Sequence, residues 1–89
     1  MAHKQSIKVS EARIIIYLEK VEKTKRFVGA ISAKLDIDYG YVLKILDQMR
    51  AKQWVRKEHY ATKSHYFLTV KSPIEEAKEA MLNEILPTP

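Results

Sequence analysis

The spacing of apolar residues changes after Gln53, and this change limits the folds open to the chain. Over Tyr39–Gln53 the apolar side chains recur at the i, i+3, i+4, i+7 spacing of an amphipathic helix, at Val42, Ile45, Leu46 and Met49. From Trp54 to Tyr60, and again from Tyr66 to Val70, the pattern has the period of two that is typical of strands. The polar segment Ala61–His65 separates them. We therefore expect a helix followed by a β-hairpin with a basic tip.

Two shorter helices are predicted before this point. The first is expected over roughly residues 10–23, with Ser10 as its N-cap, Glu11 in its first turn, and apolar residues at helical spacing: Ile14, Ile15, Leu18 and Val21. A basic connector, Lys23–Arg26, leads to a second helix over Phe27–Leu35. A short strand before the first helix, or between the first and the second, is left open.

Polar residues predict how the remaining helices begin. The segment Asp36–Asp38 suits a tight turn after the second helix, and Asp38 can cap the third. Ser72 is followed by Pro73 and by Glu75 at the spacing of a capping box, which predicts a fourth helix over about residues 73–86. Its apolar stripe consists of Ile74, Ala77, Met81, Leu82 and Ile85.

Composition narrows the class of protein. The 89 residues are enough for one domain, residues 1–89, whose core we expect over about 10–71. There is no Cys, which excludes disulfides and thiolate chemistry. The longest apolar run, Ile14–Leu18, is too short to span a membrane, and no signal peptide is evident, so we expect a soluble cytoplasmic protein. The net charge of +5 favours a polyanionic partner.

Catalytic and metal sites are not expected. The histidines are only three, His3, His59 and His65, and two of them across a hairpin do not make a zinc site. The carboxylate pairs are explained by helix capping, and no nucleophile elbow or phosphate-binding glycine loop is present. We expect a protein that is not an enzyme and has no cofactor, metal or evident small-molecule ligand.

The order α-α-α-β-β-α and its anchor residues resemble the winged helix-turn-helix superfamily, in particular small MarR-like, PadR-like and archaeal or archaeal-virus regulators. The resemblance lies in the spacing of Ile31, Leu35, Ile37, Val42, Leu46, Met49, Trp54 and Val55, and in the second wing strand, Tyr66-Phe67-Leu68-Thr69. It covers roughly residues 10–82. It implies an α+β fold with a three-helix core, a two-stranded β-hairpin wing and a C-terminal helix.

Two positions depart from the pattern of these regulators. Gln53 stands at the end of the third helix, where they usually have a Gly in the left-handed conformation. Ser72 and Pro73 follow Lys71, where many of them have Gly. The end of the third helix and the angle of the last helix are therefore expected to differ.

The resemblance implies that the third helix, over residues 39–52, enters the major groove of double-stranded DNA. It also implies that the wing, over residues 55–70, lies on the flanking backbone or in the minor groove. The expected contacts from the helix are Tyr39, Gly40, Tyr41, Leu43, Lys44 and Gln48, while Asp47 points away from the phosphates. Those from the connector and the wing are Lys25, Arg26, Arg56, Lys57, Lys63, Ser64 and His65.

Terminal helices form the dimer interface in many of the regulators that the chain resembles. We therefore expect a homodimer through Ile74, Ala77, Met81, Leu82 and Ile85, with two recognition helices about one DNA turn apart. The expected function is a dimeric regulator of transcription. Two alternatives remain: an architectural DNA-binding protein of low sequence specificity, and a winged-helix module for protein–protein interaction, which Leu43 and Asp47 favour.

Overall fold

The computed structural model describes residues 7–60 and 62–85. Within these residues four helices and one hairpin follow each other in the predicted order. The helices are α1 (Val9–Lys20), α2 (Val28–Leu35), α3 (Tyr39–Ala51) and α4 (Ile74–Ile85), and the antiparallel strands are β1 (Val55–Tyr60) and β2 (Lys63–Leu68). One 3₁₀ turn, Lys23–Lys25, lies between α1 and α2. The predicted winged helix-turn-helix architecture is confirmed.

The apolar faces of the helices meet in one core. In α3 the four predicted positions, Val42, Ile45, Leu46 and Met49, are at most 2% exposed. Across the core they share one cluster with the apolar face of α1, with Ile31 of α2 and with Trp54, Val55 and Tyr66 of the wing and its entry. The base of the wing is therefore part of the core, which fixes its position beside α3.

The turn between α2 and α3 has the predicted chemistry. Asp36 takes a left-handed conformation, with φ of 55°, which Asp tolerates better than most residues. The Asp38 carboxylate accepts a hydrogen bond of 3.2 Å from the backbone N–H of Tyr41, so it caps α3 as expected. The hydroxyl of Ser32 donates to the carbonyl of Ile37 and closes the turn from the other side.

Gln53 adopts the left-handed conformation that glycine takes in the resembled regulators. Its φ is 65°. The N–H of Gln53 bonds the carbonyl of Arg50, and the N–H of Trp54 bonds the carbonyl of Met49, both at 2.9 Å. These two bonds form the Schellman motif. The expectation that α3 would end differently is therefore wrong: the backbone keeps the glycine geometry with a glutamine in it.

The starts of α1 and α4 are corrected by the structure. The helix α1 begins one residue before Ser10, its N-cap is Lys8, and the Glu11 carboxylate accepts a 2.9 Å hydrogen bond from the Lys8 N–H. Ser72 does not cap α4, because its hydroxyl accepts from the N–H of Thr69 and donates to the carbonyl of Trp54. At α1 the helix therefore begins earlier than predicted, and at α4 the Ser72 hydroxyl bonds backbone groups outside the helix.

The two strands of the hairpin pair over more residues than the polar sequence between them predicted. The strands pair from Val55↔Leu68 to Tyr60↔Lys63, so only positions 61 and 62 lie between paired residues. The predicted loop Ala61–His65 is therefore too long. Main-chain pairing continues through Lys63, Ser64 and His65 because backbone hydrogen bonds do not require apolar side chains. His65 also forms a single antiparallel bridge with Phe27, at the place where a short strand between α1 and α2 was left open.

The apolar stripe of α4 is divided between two environments. The helix packs along α1, with Ala77 fully buried and Ile74 and Met81 partly buried against the core. Leu82 is 56% exposed. The side chain of Ile85 lies outside the described part. Ala77 belongs to the interior of its own chain and cannot contact a second copy, which corrects its assignment to an intermolecular interface.

Candidate nucleic-acid interface

The outward face of α3 carries the residues that sequence reasoning assigned to it. Tyr39, Tyr41 and Leu43 are 57%, 46% and 36% exposed. Lys44 and Gln48 are also exposed, together with Asp47. A shallow depression of about 500 Å³ is lined by Gly40, Leu43, Lys44, Asp47, Gln48 and Ala51. This face presents phenols, one alkyl group, one ammonium, one amide and the Asp47 carboxylate, so it has few cations of its own.

Gly40 has a local reason for being glycine. A Cβ at this position would lie 3.2 Å from the Asp38 carboxylate, which is the group that caps α3. The residue is exposed at the first turn of the helix. Its missing side chain therefore leaves the capping carboxylate undisturbed and the adjacent backbone open to solvent.

A groove of about 480 Å³ lies between α3 and the wing. Its lining residues are Phe27, Val28, Gly29, Tyr39, Leu43, Lys57, Thr62, Lys63, Ser64 and Tyr66. Five of the predicted DNA contacts meet here, namely Tyr39, Leu43, Lys57, Lys63 and Ser64. The groove thus combines the exposed start of α3 with two ammonium groups and a hydroxyl of the wing.

The amino end of α2 also opens into this groove, which sequence reasoning did not anticipate. Its N-cap residue is Phe27, whose side chain makes no capping hydrogen bond. The first N–H groups of a helix have no partner within the helix, and they attract anions. Val28 and Gly29 line the groove at this end. The signal in the sequence was the apolar residue at a position where a capping side chain is usual.

Tyr66 forms the floor of the groove. It is 1% exposed and packs in the main core. Burial raises the pKa of its phenol above the usual 10.0, and the nearby Asp47 carboxylate raises it further. The phenol therefore stays neutral at physiological pH beneath the lysines of the wing.

His65 does not belong to an exposed wing tip. It is 8% exposed, and its ring lies edge-on to Phe27 at 5.8 Å and to Tyr60 at 5.4 Å. Because successive side chains of a strand point to opposite faces, His65 lies on the wing face opposite to Tyr66. The assignment of His65 to the polar tip is corrected, because the ring is enclosed by aromatic neighbours and its Nδ1 is buried.

Ser64 and Arg56 are engaged within the wing. The Ser64 hydroxyl lies 3.3 Å from Nδ1 of His59. The Arg56 guanidinium pairs with Glu58 across one face of β1 and stacks over the Phe67 ring at 4.6 Å. Arg56 is exposed, but it lines a depression with Asp47 and Arg50 at the far end of α3 and not the groove.

The connector between α1 and α2 lies on the outer side of the wing. Lys25 is exposed and pairs with Glu22 at 3.5 Å. Arg26 donates to the carbonyl of Val21, and its guanidinium lies 5.3 Å from the Phe67 ring centroid, so it is partly buried. Lys23 belongs to the same connector but was not among the expected DNA contacts; its ammonium lies 5.5 Å from the Tyr60 ring centroid.

Among the side chains of residues 7–60 and 62–82, no three His, Asp or Glu groups converge as metal ligands would. His3 lies outside the described residues. The helices of residues 7–60 and 62–85 include none that is long and apolar enough to cross a membrane.

The fold is a winged helix-turn-helix, and comparison with known proteins agrees at the level of fold. No family model matches the sequence, and no curated protein matches it. Solved structures do match. MepR of Staphylococcus aureus, a transcription regulator of the multidrug efflux pump MepA, superposes with a TM-score of 0.74 and 16% identity, over 92% of this chain and 67% of its own.

Two further structures are similar. A MarR family protein from Bacillus stearothermophilus has a TM-score of 0.72 and 18% identity, over 91% of this chain and 58% of its own. ZitR of Lactococcus lactis, solved in complex with DNA, has a TM-score of 0.71 and 17% identity, over 93% of this chain and 56% of its own. The chain thus spans between about half and two thirds of the length of these proteins. The predicted resemblance to MarR-like winged-helix proteins is confirmed for the fold.

Proposed function

We propose that this protein is a double-stranded DNA-binding regulator of transcription. The observation that carries the proposal is the groove between α3 and the wing, where Lys57 and Lys63 flank the exposed first turns of a helix in helix-turn-helix geometry. MepR and ZitR, which share the fold, have both been solved in complex with DNA. A basic excess of five charges supports a polyanionic partner.

The exposed face of α3 enters the major groove in this proposal. Lys44 can reach a guanine edge or a phosphate, and Gln48 can make a bidentate contact to adenine. Leu43 packs on a thymine methyl group. Tyr39 and Tyr41 bond phosphates or pack on methyl groups, and Gly40 lets the backbone approach the DNA closely. The helix therefore supplies shape and hydrogen bonds more than charge.

The wing and the amino end of α2 supply the backbone contacts. The backbone phosphates of one DNA strand are bound from the wing by Lys57, Lys63 and Ser64. The first N–H groups of α2 bind a further phosphate at the amino end of that helix. Lys25, Arg26 and Arg56 extend the positive surface outside the groove. Because Arg26 already donates to the Val21 carbonyl and Arg56 pairs with Glu58, their contribution is to the local potential more than to direct bonds.

A homodimer through α4 completes the proposal. Two copies related by a two-fold axis would present two α3 helices to successive major grooves, about one turn apart. Of the predicted interface residues whose side chains the structure describes, Ile74, Met81 and Leu82 are partly or fully accessible and remain for an interface.

A gel-shift titration with a random-sequence duplex at two salt concentrations tests the proposal. Binding at low salt that weakens as salt rises is the expected result, since phosphate contacts release counterions. Lys44→Ala and Lys63→Ala should each weaken binding, whereas Lys71→Ala, which removes one charge outside the groove, should weaken it less. No binding of the wild-type protein at low salt would reject the proposal, and unchanged affinity in both variants would reject the docking geometry.

The small number of cationic side chains on α3 favours a second candidate function, which is also DNA binding. An architectural protein that binds DNA with little sequence preference would rely on the wing lysines and would not need bidentate base contacts. The ratio of specific to non-specific affinity separates the two, after selection of bound sequences from a random pool. A ratio of about 10³ or more supports the regulator, and a ratio near one supports the architectural protein.

A further inference from the structure

A second cavity lies on the outer side of the wing, between the wing tip and the connector. Its volume is about 580 Å³, and the residues that line it include Lys23, Phe27, Tyr60, Thr62, Lys63 and His65. The whole of α3 is described, and none of its residues lines this cavity. The cavity is therefore separate from the face that α3 offers to duplex DNA, although Phe27, Thr62 and Lys63 also line the groove on the other side of the wing.

Three aromatic rings form the walls of this cavity. His65 is 8% exposed and lies edge-on to Phe27 at 5.8 Å and to Tyr60 at 5.4 Å. Tyr60 is 39% exposed, and Phe27 is partly buried. The imidazole is thus the enclosed ring of the three, and the other two rings have surface that a flat ligand can reach.

Two ammonium groups lie beside these rings. Nζ of Lys63 is 4.0 Å from the centre of the Phe27 ring, and Nζ of Lys23 is 5.5 Å from the centre of the Tyr60 ring. Aromatic rings with neighbouring cations are the arrangement that binds single-stranded nucleic acid, because bases stack on the rings and phosphates pair with the cations. A duplex offers no free base face, since its bases are stacked and only their edges are accessible in the grooves.

The positive surface continues beyond the cavity along the same face of the wing. Side chains alternate along both strands, so the paired residues Arg56 and Phe67 share this face with Tyr60. The guanidinium groups of Arg26 and Arg56 lie 5.3 Å and 4.6 Å from the centre of the Phe67 ring. Glu58 lies on this face too, where it pairs with Arg56 and accepts a hydrogen bond of 2.7 Å from the Tyr60 hydroxyl. A cationic surface that is longer than the cavity fits a chain of phosphates better than a single nucleotide.

We propose that the cavity binds one unpaired base of a single-stranded nucleic acid, which stacks on Tyr60 and Phe27. The ammonium groups of Lys23 and Lys63 pair with the flanking phosphates. A single strand is preferred to a free nucleotide because the cationic surface extends past the cavity. This activity goes beyond duplex binding and does not depend on it.

The test is fluorescence anisotropy of the full chain with a labelled oligothymidylate of about twelve nucleotides. Tyr60→Ala should lower the affinity by about five-fold or more, because it removes a stacking surface for the base. Tyr60→Phe keeps the ring and should bind as the wild type does. Lys23→Ala should reduce the slope of log affinity against log salt by about 0.7, the value for one phosphate contact of a single strand.

Two further ligands separate stacking on the rings from attraction by charge alone. An abasic strand of the same length has the same phosphates but no bases, so it should bind about five-fold more weakly or worse. Equal binding of the abasic strand overturns the inference, because charge alone then explains the affinity. Thymidine monophosphate that binds as tightly as the strand overturns the assignment of a single strand as the partner.

Duplex binding by the same proteins shows whether the cavity is a separate site. Lys44→Ala, on the exposed face of α3, should leave the affinity for the single strand unchanged, and Tyr60→Ala should leave the affinity for a random duplex unchanged. Equal losses for both ligands in Tyr60→Ala would place the cavity in the duplex interface and overturn the inference. Circular dichroism reports folding, and Lys23→Ala and the abasic strand keep the test decisive if Tyr60→Ala does not fold. A wild-type chain that binds no single strand at low salt overturns this inference and leaves the proposed function standing.

Discussion

The carboxylate of Glu11 and the ammonium of Lys52 form an ion pair of 2.9 Å that joins the first turn of α1 to the end of α3. Glu11 is 1% exposed, while the Lys52 side chain remains 43% exposed. The carboxylate also accepts the N–H of Lys8, and the lysine lies 4.3 Å from the centre of the Trp54 ring. A buried charge is thus satisfied by one backbone donor and one lysine that reaches it along an aromatic surface.

Removing the lysine charge should therefore destabilise the fold. Lys52→Met keeps the stem on Trp54 but leaves a buried carboxylate with one donor, so we expect a loss of about 1–3 kcal/mol in the free energy of unfolding. Urea denaturation measures it. Adding Glu11→Gln should recover part of the loss, because no buried charge remains. Lys44→Met, on the exposed face of the same helix, should change stability by less than about 0.5 kcal/mol. Equal effects at both lysines would contradict this account.

Gln53 offers a stabilising substitution. Since it holds a left-handed backbone, Gln53→Gly should raise the free energy of unfolding by about 0.5–1 kcal/mol, because glycine adopts this conformation without steric cost. The side chain of Gln53 accepts a hydrogen bond from Lys71 at the surface, a contact of small worth. Gln53→Ala is the matched control, since it removes the same contact but keeps the Cβ. Thermal denaturation of the wild type, the glycine variant and the alanine variant measures the effect. A glycine variant no more stable than the alanine variant would refute the prediction.

The wing lysines of the groove should set the salt dependence of DNA binding. Each phosphate contact that is lost reduces the slope of log affinity against log salt by about one, so Lys57→Ala with Lys63→Ala should reduce it by about two. Titrations at four or more salt concentrations by fluorescence anisotropy give the slope. Lys71→Ala combined with Lys8→Ala removes the same number of charges outside the groove. If this control pair lowers the slope as much as the wing pair, the wing does not hold the backbone.

We expect the buried phenol of Tyr66 to make the stability of the fold depend on pH in the alkaline range. Burial, with a smaller effect of Asp47, raises the pKa of the phenol in the folded protein above its unfolded value of 10.0. The unfolded state therefore loses this proton first, and the stability that Tyr66 contributes is present below pH 10.0 and is lost as pH rises through the folded pKa.

The comparison of wild type with Tyr66→Phe isolates this contribution. The variant cannot ionise at position 66 in either state, so its melting temperature should fall less steeply between about pH 9 and pH 11. All other side chains are the same in the two proteins, so the difference between their curves reports on position 66. Parallel curves for the two proteins would show that Tyr66 does not contribute to the alkaline loss.

Local spacing and short-range chemistry determined the elements of this protein. The apolar residues of α3 and the change of period at Trp54 predict the helix and the hairpin because the side-chain period differs between the two backbones. Asp38 caps α3 from three residues away, within reach of local sequence. The exposed positions Tyr39, Lys44 and Gln48 follow from the same period, since the side of a helix opposite to its apolar face meets solvent.

Only the tertiary structure decided which neighbour covers each surface. Glu11 is buried because Lys52, 41 residues away, reaches it. Ser72 turns from its helix because the carbonyl of Trp54, 18 residues away, accepts its hydroxyl. His65 is enclosed because the chain before α2 packs beside the wing. The division of the α4 stripe, with Ala77 inside and Leu82 outside, depends on the angle at which α4 meets α1. A periodic pattern states which face of an element is apolar, but long-range packing determines what that face contacts.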